Sequence, residues 1–336
     1  MSSIVHAGSV TALDARSRYL PGSEAGGYVL GTHETVAAAL LRVSTDQLTI
    51  AIDALGDRTA DVHIATTAAL AGLARTAALL RLVRDSLGDD VYQSEIAVID
   101  DTYDLLRALQ SGQAELRAID LLRARYASVL APGALLGVRA QVLRHHQLRR
   151  LQALTEGQAL QRSLHRLRRS RARFAAQPVD VAGDATIIDR EPVADHFDSV
   201  GPGLGRAYRR CRRAWRTIDG AEPVDLARFG TDVGVLARQL QLISSIWPEV
   251  LGATADAAGR LESAVGEARG LDLLTAELES GDLDADPVET DLLAAMVRHQ
   301  RDELTGVIVV LGQRLLAEPT RLFTERIGHY WATTRS

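Results

Sequence analysis

The chain has 336 residues, enough for one large or two medium domains with an ample buried core. Apolar residues make up 46% and charged ones 24%, ordinary for a globular protein, and the net charge of −5 excludes a uniformly basic nucleic-acid coat. One cysteine, Cys211, excludes an intrachain disulfide framework and fits a reducing compartment.

Aromatics are only 4%, while Ala, Leu and Arg dominate, a mixture with low helical cost. Residues 1–31 read as an irregular leader, mixed in charge and without a secretory pattern. Apolar spacing then predicts helices over 32–55 (Thr32 as cap), 59–87 ended by Gly88, 91–109, and 114–130 broken at Ala131-Pro132-Gly133. Residues 135–176 read as two helices meeting near Gly157. The stretch 177–194 is rich in Asp and Pro and reads as a linker. Beyond it helices are expected over 195–218, 224–246, 248–265, 267–280, 287–316 and 319–334. No strand alternation of useful length occurs, so the fold class is all-α. No apolar run approaches bilayer length, the most apolar being Gly306 to Gly312, and a cytoplasmic location with no membrane partner is expected.

The two sides of the linker resemble one another. Leu79-Leu80-Arg81-Leu82-Val83 followed by Leu87 is matched by Gln239-Leu240-Gln241-Leu242-Ile243 followed by Trp247. Each lies on a long helix, which predicts two tandem helical bundles, 32–176 and 195–334, related by a pseudo-twofold axis.

Over residues 28–333 the chain resembles the CHAD family, the conserved-histidine α-helical domain. The resemblance rests on Leu79 to Gly88 with Tyr92, on Gly203 to Ala214, on Trp247-Pro248 with Leu251-Gly252, and on Arg301 to Leu304, Leu315 to Pro319, Phe323 and Trp331. It implies a non-catalytic protein that binds inorganic polyphosphate through cations on two signature helices, each opened by a histidine. This chain departs from that pattern. Thr67 and Ala227 stand at the histidine positions. Leu70, Ala71, Gly72, Ala74 and Ala77 stand where basic residues are common in the first signature, and Gly230, Thr231, Asp232 and Gly234 in the second. Arg75, Arg81 and Arg84 remain, with His63 one turn upstream and Arg238 in the second repeat. Fewer cations mean weaker polyanion binding, because affinity rises with each charge neutralised.

The other cations cluster elsewhere. All 38 basic residues are arginines, planar forks that suit phosphate or carboxylate oxygens. Residues 139–173 hold ten of them against one acid, Glu156. Arg162, Arg166, Arg169 and Arg173 recur at helical spacing, and Arg144, Arg149 and Arg150 precede them. A second cluster contains Arg206, Arg209, Arg210 and Arg213, with Arg212 and Arg216, backed by Tyr208, Cys211 and Trp215. Together with Arg75 and Arg81 these are the candidate anion-binding residues. The plainer alternative is a set of solvated faces paired with acids such as Asp100, Asp101 and Asp104. Nucleic acid is the weaker ligand, since few aromatics accompany the arginines.

No cofactor or metal is expected. The adjacent His145 and His146 point to different helix faces, and His165 is too distant to complete a set. Asp195-His196-Phe197-Asp198 reads as a helix start, and Gly201-Pro202-Gly203-Leu204-Gly205 as a loop rather than a phosphate cradle. No catalytic pattern stands out. The hydrolases that CHAD domains accompany need a Glu-x-Glu-x-Lys strand, whereas Glu277 and Glu279 lie in helical context. The expected function is binding of polyphosphate or a similar anion. The alternative is a degenerate CHAD scaffold that meets protein partners through its arginines and the acidic tract Asp282 to Asp291.

Overall fold

The computed structural model describes residues 27–57, 59–110, 112–154, 157–175, 193–218 and 223–335, without the side chains of 148–154, 157–159 and 223–225. The described residues are helical, with no strand among them. Most of the predicted leader (1–26) and linker (176–192) lies outside the described residues.

Two compact units divide the chain, and they do not follow the two stretches 32–176 and 195–334. One holds the described residues up to Arg107 together with Gly157–Val200. The other holds Ala108–Glu156 and Gly201–Ser336.

The first unit begins with helix α1, Val36–Gly56, opened by Thr35, whose hydroxyl accepts from the Ala38 amide at 3.2 Å. The expected cap, Thr32, lies three residues upstream. Helix α2, Val62–Leu82, is capped by Asp61, which accepts from the amides of His63 (2.8 Å) and Ile64 (3.2 Å). Both helices bury one face (Leu40, Val43 and Leu48 against Leu73 and Leu80). Glycine brings their backbones together: a Cβ at Gly72 would lie 2.6 Å from the Gln47 carbonyl oxygen. The helix expected over 59–87 is interrupted at Val83, and a short α3, Arg84–Leu87, leads to Gly88 at φ 77°. Helix α4, Asp89–Leu109, and the arginine-rich α7, Gly157–Ala175, complete the unit. Helix α7 packs on α1 through a face that includes Leu167, Ser170 and Phe174.

In the second unit α5, Gln113–Arg125, and α6, Leu136–Leu154, pack with α8, Gly201–Trp215; α9, Pro223–Leu242; α10, Ala253–Glu279; α11, Pro287–Leu315; and α12, Thr320–Thr334. Two expectations are corrected. Residues 253–279 form one helix, not two, even though Gly266 and Gly270 lie inside it. A glycine costs a helix interior only about 1 kcal/mol, and Gly270 has a packing use: its Cβ would sit 3.1 Å from the Ala114 carbonyl oxygen of α5. The Gly201 to Gly205 stretch is the first turn of α8, not a loop. Its glycines are buried, and a Cβ at Gly205 would lie 3.0 Å from the Thr324 methyl of α12. Tyr208 then stacks on Phe323 at 3.8 Å and donates to the carbonyls of Leu315 (3.2 Å) and Glu318 (3.1 Å). Burial pushes its hydroxyl up to about 12.

Helix α2 is long and apolar enough to cross a membrane, contrary to the sequence expectation. Within its unit, 56% of that apolar window is buried, and Leu73, Leu79, Leu80 and Leu82 belong to the core.

Candidate anion-binding surfaces

Helix α7 carries six arginines within Arg162–Arg173 and no acid. Its buried stripe orients the rest. Leu167, Ser170 and Phe174 face inward, so Arg162, His165, Arg166, Arg168 and Arg169 lie exposed on the opposite arc. Two of the predicted residues are held by carboxylates. Arg173 donates to the buried Glu95 at 2.6 Å, and the Ser170 hydroxyl donates to the same group at 2.5 Å. Arg166 reaches Asp101 at 3.3 Å with both side chains exposed. Arg162, Arg168 and Arg169 meet no carboxylate among the described residues. Among the described residues, three guanidinium groups of a helix that itself carries no acid are thus open to an external anion.

The cations of α2 differ. Arg75 lies over the Tyr28 ring at 5.4 Å and donates to Gln47 at 3.3 Å. Arg81 grips both oxygens of Asp100 at 2.9 Å. Arg84 pairs with Asp89 at 3.2 Å and covers the Tyr92 ring. These are packing and tethering contacts within one unit.

Several of the uncharged residues singled out in the sequence on α2 and α9 lie at close helix contacts. Gly72 and Ala77 are buried, and Gly72 faces the backbone of α1, where no longer side chain fits. In α9, a Cβ at Gly230 would lie 3.0 Å from Val265, and one at Gly234 would lie 2.5 Å from the Glu262 carboxylate. Arg238 fills that corner, donating to the Gly234 carbonyl at 2.6 Å and to Glu262 at 3.0 Å. Thr67, Ala71 and His63 are exposed.

In the second unit Arg144 is exposed, and the side chains of Arg149 and Arg150 lie outside the described residues. Helix α8 is strongly two-sided. Leu204, Ala207, Tyr208 and Cys211 are buried, and Arg206 is half-buried. Burial drives the Cys211 thiol far above its ordinary value, which leaves it unreactive as a nucleophile. Arg210 pairs with Asp232 at 3.1 Å, whereas Arg209, Arg213 and Arg216 are exposed and meet no carboxylate among the described residues. The predicted arginines thus fall in both units. Arg75, Arg81, Arg162, Arg166, Arg169 and Arg173 lie in one, and Arg144, Arg206, Arg209, Arg210 and Arg213 in the other.

Buried acids are the polar features that sequence reasoning passed over. Glu95 sits on the apolar stripe of α4 between Tyr92 and Ile99, and that misplaced acid was the available signal. Glu277 meets the imidazole Nδ1 of His145, and Glu115 lies 3.8 Å from Nε2 of His146, with the two rings stacked. Each histidine therefore has its own carboxylate. No group of three or more His, Cys, Asp or Glu suited to a metal occurs among the described residues. No protein-family profile matches the chain, and no curated protein matches it.

Proposed function

We propose that the chain is a divergent relative of the CHAD proteins and a non-catalytic binder of phosphate-rich anions, inorganic polyphosphate first among them. In this reading its two halves descend from one helical bundle. Its anion surface has left the signature helices for the solvent face of α7. The observation that carries the reading is the exposed arc of α7, on which Arg162, Arg168 and Arg169 meet no carboxylate among the described residues. A guanidinium fork suits phosphate oxygens bidentately, and counterion release adds to each contact.

The test is retention of the full chain on immobilised polyphosphate across a salt series. Binding should weaken steeply with salt. Replacing Arg162, Arg168 and Arg169 together by alanine should lower the slope of log affinity against log salt by about 2 to 3, at roughly 0.7–0.9 per phosphate contact. No retention at low salt would favour the scaffold reading. That reading draws support from Arg81, Arg166, Arg173 and Arg210, each already engaged by an acid of its own unit.

A further inference from the structure

The second unit carries exposed charges of both signs on and beside its helices. On α8, Arg209 and Arg213 stand one turn apart at i and i+4 on one face, and Arg216 follows in the turn just beyond the helix end. The acidic tract around the start of α11 is pinned by its backbone and by two of its acids. The Asp282 amide donates to Ser280 Oγ at 3.2 Å, and the Asp284 carbonyl accepts from the Gln141 side chain. Asp286 caps α11 through the Val288 amide at 2.9 Å. Glu289 accepts from the amides of Leu135 (3.0 Å) and Val138 (3.3 Å) at the start of α6. Asp282, Asp284 and Asp291 are exposed and meet no cation among the described residues. Beside them Val288 is 74% exposed and Leu292 41%, an apolar edge next to an acidic one.

We infer that the α8 stripe of one copy of this chain docks on the acidic tract of a second copy. Three guanidinium groups that meet no carboxylate among the described residues are matched by three carboxylates that meet no cation there, equal in number and opposite in charge. The stripe and the tract are different patches, so each copy offers both halves of the contact, to one partner reciprocally or to two in succession. Exposed ion pairs are individually weak, so the association depends on protein concentration and on salt. The inference is independent of polyphosphate binding, which was placed on α7 of the other unit.

Sedimentation velocity of the full chain tests it. In about 0.01 M salt, where the Debye length is about 30 Å, the mean sedimentation coefficient should rise with protein concentration. In about 1 M salt, where it is about 3 Å, the coefficient should fall to the single-copy value. Replacing Arg209, Arg213 and Arg216 by Glu should abolish the rise, as should replacing Asp282, Asp284 and Asp291 by Arg. Mixing the two variants should restore it, because each then supplies the charge the other lacks. All six positions are exposed, and circular dichroism of each variant checks that the helices persist. A wild-type chain that stays single at every concentration in low salt overturns the inference. So does a variant that still associates, a mixture that does not, or an α8 variant that loses only polyphosphate binding.

Discussion

Gly72 offers a sharp test of the packing argument. Replacing it with alanine adds a methyl group 2.6 Å from the Gln47 carbonyl oxygen, a backbone atom of α1 that cannot swing aside. An unstrained contact needs about 3.4 Å, so α1 and α2 must separate by about 0.8 Å. Such overpacking costs about 1–3 kcal/mol, and a backbone-to-backbone clash belongs at the upper end. The helical preference of alanine returns about 1 kcal/mol. The net expectation is a loss of about 1–2 kcal/mol. Gly266→Ala is the control: it is also inside a helix, but it is exposed and has nothing within 4 Å of its added methyl. It should gain about 0.5–1 kcal/mol. Urea denaturation followed by circular dichroism reads both as opposite shifts of the midpoint with an unchanged slope. A Gly72→Ala chain as stable as the wild type would refute the claim that this position is closed.

The other perturbations address single contacts. Glu95→Gln removes the charge that Arg173 and Ser170 share, and should cost about 2 kcal/mol because a buried charge-assisted pair is broken while Arg173 keeps some access to water. Hydrogen exchange should then show α7 opening more readily, and unchanged protection of α7 would count against the clamp. Hydrogen bonding to Arg139 holds the Asp120 carboxyl below its ordinary value of 3.8. A depressed carboxylate contributes stability that is present above the ordinary value and lost as the pH falls through the folded value. Arg139→Ala should therefore cost less than about 1 kcal/mol near neutral pH, the ceiling for an exposed pair. Thermal melts of the two chains should converge as the pH falls below 3.8 and through the depressed folded value, and a gap that widens in acid would contradict the assignment.

Fold class could be read from composition because Ala, Leu and Arg carry helix with little help from tertiary context, and most helix bounds fall within a few residues of the apolar spacing. The failures share a physical cause. Gly201 to Gly205 and Gly266 to Gly270 look like breaks because glycine is judged by its intrinsic preference. In the fold, Gly205 and Gly270 admit a neighbouring helix, and that gain outweighs the local cost. The arginine clusters were visible as charge. Asp100 and Asp101 were legible as acids that pair with arginines, and they engage Arg81 and Arg166, whereas the partners of Arg173 and Arg210 were not, because Glu95 and Asp232 are brought to them only by packing. Gly72 and Gly230 drew notice in the sequence only as uncharged positions, whereas each lies at a close helix contact.

The chain crosses between its two compact units three times, near residues 107, 156 and 200. A ribosome therefore releases neither unit as a finished piece before the other is under way. The first must wait for α7, by which time α5 and α6 have emerged without the helices that will cover them. A shortened clone ending near residue 180 would keep α5 and α6 but none of α8–α12, leaving bare the surfaces that normally face those helices. Dissection of this protein is better done by internal excision and rejoining than by trimming from either end.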